Sequence, residues 1–120
     1  MDSNAFRAKL ANLMPGYDWT VHRAAKDATK LVATGTQSSG FNRLSTLEVT
    51  YTSVGQADWF IARSAGYGRR APWLHENGDA TLARALRGLQ DHYRQMSGVY
   101  HGHERALAQG RSARSTAEAA

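Results

Sequence analysis

The stretch Leu47-Glu48-Val49-Thr50-Tyr51-Thr52-Ser53-Val54-Gly55-Gln56-Ala57-Asp58-Trp59-Phe60-Ile61-Ala62-Arg63 decides the fold. On its first arm Leu47, Val49 and Tyr51 alternate with Thr46, Thr50 and Thr52, the period-2 pattern of a half-buried strand with a polar outer surface. On its second arm Trp59, Ile61 and Arg63 alternate with Phe60 and Ala62, so both faces carry bulk. Val54-Gly55-Gln56 is short enough to be a tight hairpin link. Strands are therefore predicted over residues 44–52 and 58–64.

Upstream, residues 29–36 read as a strand in which Leu31 and Ala33 oppose Lys30, Val32 and Thr34. Ala25-Lys26-Asp27 is a polar turn before it, and residues 37–42 are a turn-rich connection after it. In residues 17–23, Tyr17, Trp19 and Val21 face one way while Asp18, Thr20 and His22 face the other, which makes a further strand. Phe6, Leu10, Leu13 and Met14 recur at helical spacing, with Ser3 or Asn4 as the cap and Pro15-Gly16 as the stop. Downstream, Leu82, Leu86, Leu89, Tyr93 and Met96 stand at i, i+4, i+7, i+11 and i+14, an amphipathic helix capped by Asn77 or Asp79 and stopped at Gly98. Strands bracketed by helices predict an α+β domain: an antiparallel meander of three to four strands with both helices on one face, order α-β-β-β-β-α. The expected organisation is a compact domain over 1–98, a short helical extension over 99–109 and a mobile tail over 110–120. The tail is rich in Ala, Arg, Ser and Glu and offers little burial to offset its ordering entropy.

Composition narrows the function classes. A chain of 120 residues that is 42% hydrophobic has room for one core and no second catalytic domain. With no cysteine, disulfides, thiolate zinc sites and thiol nucleophiles are excluded. No apolar run approaches the roughly 18 residues of a membrane-spanning helix, and Met1-Asp2-Ser3-Asn4 lacks the features of a signal peptide, which predicts a soluble, cytoplasmic protein. The formal net charge is +5 and the pI about 10.0. Residues 1–62 carry six bases against five acids, and residues 63–120 carry nine against five, all nine being arginine. Guanidinium pairs bidentately with phosphate or carboxylate and stacks on flat rings, so the excess points to a polyanionic or acidic partner.

The segment Gly66-Tyr67-Gly68-Arg69-Arg70-Ala71-Pro72-Trp73 combines two glycines, adjacent arginines and two aromatic surfaces, and reads as a binding loop. It lacks the Gly-Lys-Ser/Thr ending of a phosphate-binding P-loop. The competing reading has Trp73 plugging the end of the core with Arg69 and Arg70 solvated. Arg84, Arg87 and Arg94 fall on one side of the predicted last helix, where an Arg87–Asp91 pair at i, i+4 is an ordinary solvated alternative. The expected nucleic-acid or partner-binding set is Arg63, Tyr67, Arg69, Arg70, Trp73, Arg84, Arg87 and Arg94, joined as one positive surface. His101-Gly102-His103-Glu104 has metal-ligand residue types but too flexible a setting to hold an ion, so no metal, no cofactor and no catalytic residue is predicted. Gly-x-Ser-x-Gly and His-Glu-x-x-His are both absent, and the expectation is a protein that is not an enzyme.

Leu13-Met14-Pro15-Gly16-Tyr17-Asp18-Trp19-Thr20-Val21, Gly35-Thr36-Gln37-Ser38-Ser39-Gly40 and Ser64 to Trp73 resemble segments of small accessory proteins of bacteriophages and prophages, across residues 5–96. That resemblance implies a chain acting by binding in a bacterial host cell. It would engage nucleic acid or a nucleoprotein complex, or inhibit a bacterial defence complex as an anti-CRISPR protein by contacting an acidic host protein. The helix-strands-helix order also resembles a double-stranded-RNA-binding domain, but Asn77-Gly78-Asp79-Ala80-Thr81 stands where that family opens its last helix with lysines.

Overall fold

A computed structural model describes residues 1–24, 29–39, 42–66 and 71–119, with the side chains of 38, 39, 42–44 and 113–119 outside the description. The chain runs α1 (Ser3–Leu13), β1 (Asp18–Val21), β2 (Lys30–Ser39), β3 (Asn42–Val54), β4 (Ala57–Ala65), β5 (Trp73–Asp79) and α2 (Leu82–Ala119). All five strands form one antiparallel sheet in the order β1-β2-β3-β4-β5, an α+β meander with one strand more than the alternation predicts. By its internal contacts the chain divides into two units, Met1–Leu89 and Gln90–Ala120. Among the described residues no helix is long and apolar enough to cross a membrane.

Within the first unit the hairpin turns where expected. β3 ends at Val54 and β4 begins at Ala57, with Gly55 at φ +64°, a left-handed position that glycine occupies without a side-chain clash. From that turn the register counts back through Tyr51 opposite Phe60, Val49 opposite Ala62 and Glu48 opposite Arg63. Leu31, Ala33, Leu47, Val49, Tyr51, Phe60 and Ala62 are all buried, so one sheet face is the core. Phe6 and Leu10 of α1 are fully buried as well, and the Phe6 ring lies 6.3 Å from that of Tyr51, which places α1 on this face. Leu82, Ala85, Leu86 and Leu89 complete the core from the first turns of α2. At the sheet's far side the Trp19 ring lies against the backbone of Gly35 and its indole N–H donates to the Met14 carbonyl at 3.1 Å, tying β1 to the end of α1.

Several boundaries differ from the sequence expectation. The fifth strand covers Asn77-Gly78-Asp79, where turn composition argued for a cap; pairing with β4 overrides that local preference. The true cap of α2 is Thr81, whose hydroxyl accepts from the Arg84 amide at 3.3 Å, while Asn77 donates its side-chain amide to the Ala85 carbonyl at 3.1 Å. Asp2, not Ser3 or Asn4, caps α1 by accepting from Ala5 N at 2.8 Å. Gly98 does not end α2: a glycine inside a helix costs only about 1 kcal/mol, and the alanine, leucine, glutamate and arginine that follow favour continuation. The connection expected over 37–42 is shortened by strands that run to Ser39 and restart at Asn42.

Candidate interaction surface

The sheet face opposite the core is built by the other half of each alternation. Register places Asp18, Thr36, Thr46 and Ala65 in one row across β1 to β4, and Thr20, Thr34, Glu48, Arg63 and Glu76 in the next, across all five strands. Val32, Thr50, Ile61 and Gly78 form a third row, and Lys30, Thr52 and Trp59 a fourth. Apart from Ala65, which is buried where it pairs with Trp73, the described residues of this face are at least partly open within the first unit: Trp59 keeps 46% and Trp73 40% of its surface exposed. His22 beside it bonds the Thr34 hydroxyl through Nε2 at 2.7 Å.

Arg63 is the pivot. Its Nη2 lies 2.8 Å from Glu48 Oε1, its Nε donates to the same oxygen at 3.0 Å, and its guanidinium carbon sits 4.1 Å above the centre of the Trp73 ring. The ion pair and the cation–π contact are each worth about 1 kcal/mol or less at such partly exposed positions. Together they fix the Trp73 ring on the uncovered face. Trp59 is fixed differently. A β-carbon at residue 78 would lie 2.9 Å from Trp59 Cζ2, so Gly78 lets the indole lie directly on the β5 backbone. Trp59 on β4 and Trp73 on β5 therefore present two aromatic platforms on this face, with the rows of Ile61 and Arg63 between them. Leu74, at the bulge where β5 slips against β4, is 62% exposed.

The predicted site is divided by this geometry. Arg63 is engaged by Glu48 rather than available as an unneutralised cation, and Trp73 is half-exposed rather than a core plug. Arg84 and Arg87 are exposed on α2 and make no ion pair among the described residues. Arg94 belongs to the second unit. Tyr67, Arg69 and Arg70 lie outside the described residues. Among the described side chains of the uncovered face Asp18, Glu48 and Glu76 stand against Lys30 and Arg63, three carboxylates to two cations. Sequence reasoning overlooked Trp59 as a surface residue, although its place among Thr46, Thr50 and Thr52 through the hairpin register marks it as outward.

Candidate chemistry is sparse. Among the described residues no three histidine or acidic side chains converge on a metal position, and the helical course of His101 to Glu104 turns the two imidazoles about 200° apart. Among the described residues Tyr51 has a perturbed pKa: its hydroxyl donates to Asp58 Oδ1 at 2.7 Å. That bond to a carboxylate, then burial, holds the phenol above its ordinary value near 10. A raised folded-state pKa contributes stability below pH 10 that is lost as pH rises through the higher folded value. Comparing wild type with Tyr51→Phe in urea titrations at pH 7 and pH 11 is expected to show wild type ahead by about 1 kcal/mol at pH 7 and the gap closing at pH 11. A gap that stays constant would count against the Tyr51–Asp58 bond.

No family model, no curated protein and no solved structure matches this chain.

Proposed function

We propose that this chain is a non-enzymatic binding protein that docks a protein partner on its uncovered sheet face. The observation that carries the reading is the pair of half-exposed, rigidly seated indoles, Trp59 and Trp73, on a face where Arg63 is already paired. Rigid aromatics with an exposed face are typical interface anchors. About 200 Å² of indole surface remains to be buried, roughly 5 kcal/mol of gross association energy at about 25 cal/mol per Å². Among the described side chains of this face three carboxylates stand against two cations, which favours a partner with an apolar centre bordered by Lys or Arg. Inhibition of a bacterial defence complex, which the likeness to phage accessory proteins implies, is one form this binding would take.

A second reading, binding of nucleic acid or a nucleoprotein complex, is favoured by Arg84 and Arg87, which are exposed and unpaired among the described residues. Capture from nuclease-treated bacterial lysate separates the two when run with three proteins: wild type, Trp59→Ser/Trp73→Ser, and Arg84→Glu/Arg87→Glu. The first reading expects capture to survive nuclease and to fall about 100-fold or more in the tryptophan variant alone. Loss of all capture with nuclease, together with salt-dependent binding of labelled duplex DNA that fails in the arginine variant, would transfer the function to the second.

A further inference from the structure

Two separate packing demands set an asparagine and a glycine side by side in β5. Asn77 donates its side-chain amide to the Ala85 carbonyl at 3.1 Å, and Gly88 leaves the space that this amide fills. Gly78 is required by Trp59, whose indole lies where a β-carbon would stand. The product is the chain's one Asn-Gly pair, since Asn4, Asn12 and Asn42 precede Ala, Leu and Arg. Asn-Gly is the pair in which a chain most readily attacks its own amide, because glycine has no β-carbon to hinder its nitrogen. The register shows where that nitrogen points. The Ser53 amide donates to the Thr29 carbonyl of β2 at 2.9 Å, so the even-numbered residues of β3 turn their N–H and C=O groups to β4. Their β4 partners are odd-numbered, which leaves Phe60, Ala62 and Ser64 to bond Asp79, Asn77 and His75 of β5. Gly78 therefore directs its N–H to the outer edge of the sheet, where no further strand lies among the described residues. No ladder bond restrains that nitrogen.

We propose that Asn77 is a self-modification site: it deamidates when the edge strand β5 opens, and its product weakens the hold of the sheet on α2. In the step, the Gly78 nitrogen gives up its proton to hydroxide and bonds to Asn77 Cγ. The Cγ–Nδ2 bond breaks and the amide leaves as ammonia, closing a cyclic imide. Water then opens the imide at either carbonyl, giving aspartate or isoaspartate, with no change of oxidation state. While β5 is paired, the Ala85 bond and the extended, Ala62-paired backbone keep Cγ away from the nitrogen. Opening of an edge strand requires far less than global unfolding, and it frees both reactants at once. Neither product restores the anchor. Aspartate sets a carboxylate oxygen against the Ala85 carbonyl, two acceptors with no proton between them, in a part-buried position. Isoaspartate also lengthens the main chain by one methylene, which shifts Gly78 and Asp79 out of register with Ile61 and Phe60 and moves the backbone on which Trp59 rests.

Incubation of the full chain in mildly alkaline buffer, folded and in guanidinium chloride, tests this when conversion at each asparagine is followed by peptide mass spectrometry. In denaturant Asn77 should convert ahead of Asn4, Asn12 and Asn42. In the folded chain it should remain the first to convert, but at least about tenfold more slowly than in denaturant, because only the opened fraction reacts. Gly88→Ala, which crowds the Asn77 amide, should raise the folded rate about fivefold and leave the denatured rate unchanged. Asn77→Asp, the aspartyl product made directly, should melt below wild type. Equal rates folded and denatured, another asparagine converting first in the folded chain, a folded Gly88→Ala rate like that of wild type, or an Asn77→Asp melt unchanged from wild type would each overturn the proposal.

Discussion

Phe6→Ala is expected to cost about 3–5 kcal/mol of folding stability, a large share of what a domain of this size possesses. Phe6 is fully buried, and its ring belongs to a row in which Tyr51 lies 6.3 Å away and Phe60 a further 5.1 Å beyond, from ring centre to ring centre. Removing the phenyl takes away its transfer energy and leaves a void that two aromatic side chains on a hydrogen-bonded sheet cannot collapse to fill. The loss reaches further than one side chain. α1 is 11 residues long, too short to persist by itself, and only Phe6 and Leu10 bury it. Detaching α1 also exposes Tyr51 and slackens the end that Trp19 secures through Met14. Urea unfolding followed by tryptophan fluorescence reads the effect directly. Leu13→Ala, on the same helix but 39% exposed, serves as comparison and should cost less than half as much. Equal costs at the two positions would mean that the described packing of α1 is wrong.

The sheet was readable where burial is one-sided. Leu47, Val49 and Tyr51 alternate with threonines because one face meets a core and the other meets water, and that asymmetry writes itself into the sequence at period 2. β5 could not be read this way. Its Asn77-Gly78-Asp79 segment has turn composition, and its extended state comes from ladder pairing with β4 and from Trp59 occupying the space above Gly78, both of which are tertiary. The Glu48–Arg63 pair was within reach: taking Gly55-Gln56 as a two-residue turn puts these residues opposite each other. Reading arginines as a summed charge hid it, because net charge does not record which guanidinium already has a carboxylate. The site's aromatic half was legible as residue types at Trp73 but not as a surface, since nothing local distinguishes a tryptophan resting on a glycine backbone from one buried under a helix.

Gly88→Ala should destabilise the first unit even though alanine is the better helix former, and Gly98→Ala should do the opposite in the same helix. At position 88 a β-carbon would come within 2.7 Å of Asn77 Cγ. Asn77 has little freedom to retreat, because its amide donates to the Ala85 carbonyl and its backbone is paired with Ala62 in the β4–β5 ladder. The methyl adds about 1 kcal/mol of helix propensity, but displacing Asn77 breaks its bond and strands a part-buried amide, a loss of about 1–3 kcal/mol. The net change is therefore a destabilisation of about 1 kcal/mol. Gly88→Val adds branching that leaves the amide no place at all, and should cost about 3 kcal/mol. At position 98 no atom lies within 4 Å of the new methyl, so only the propensity gain remains, about 0.8–1 kcal/mol of helix stability. Chemical denaturation measures the first unit, and helical circular dichroism on heating measures the gain at 98. The decisive comparison is one of sign: if both alanines stabilise, Asn77 does not hold α2 against the sheet, and the first turns of that helix are anchored by Leu82, Leu86 and Leu89 alone.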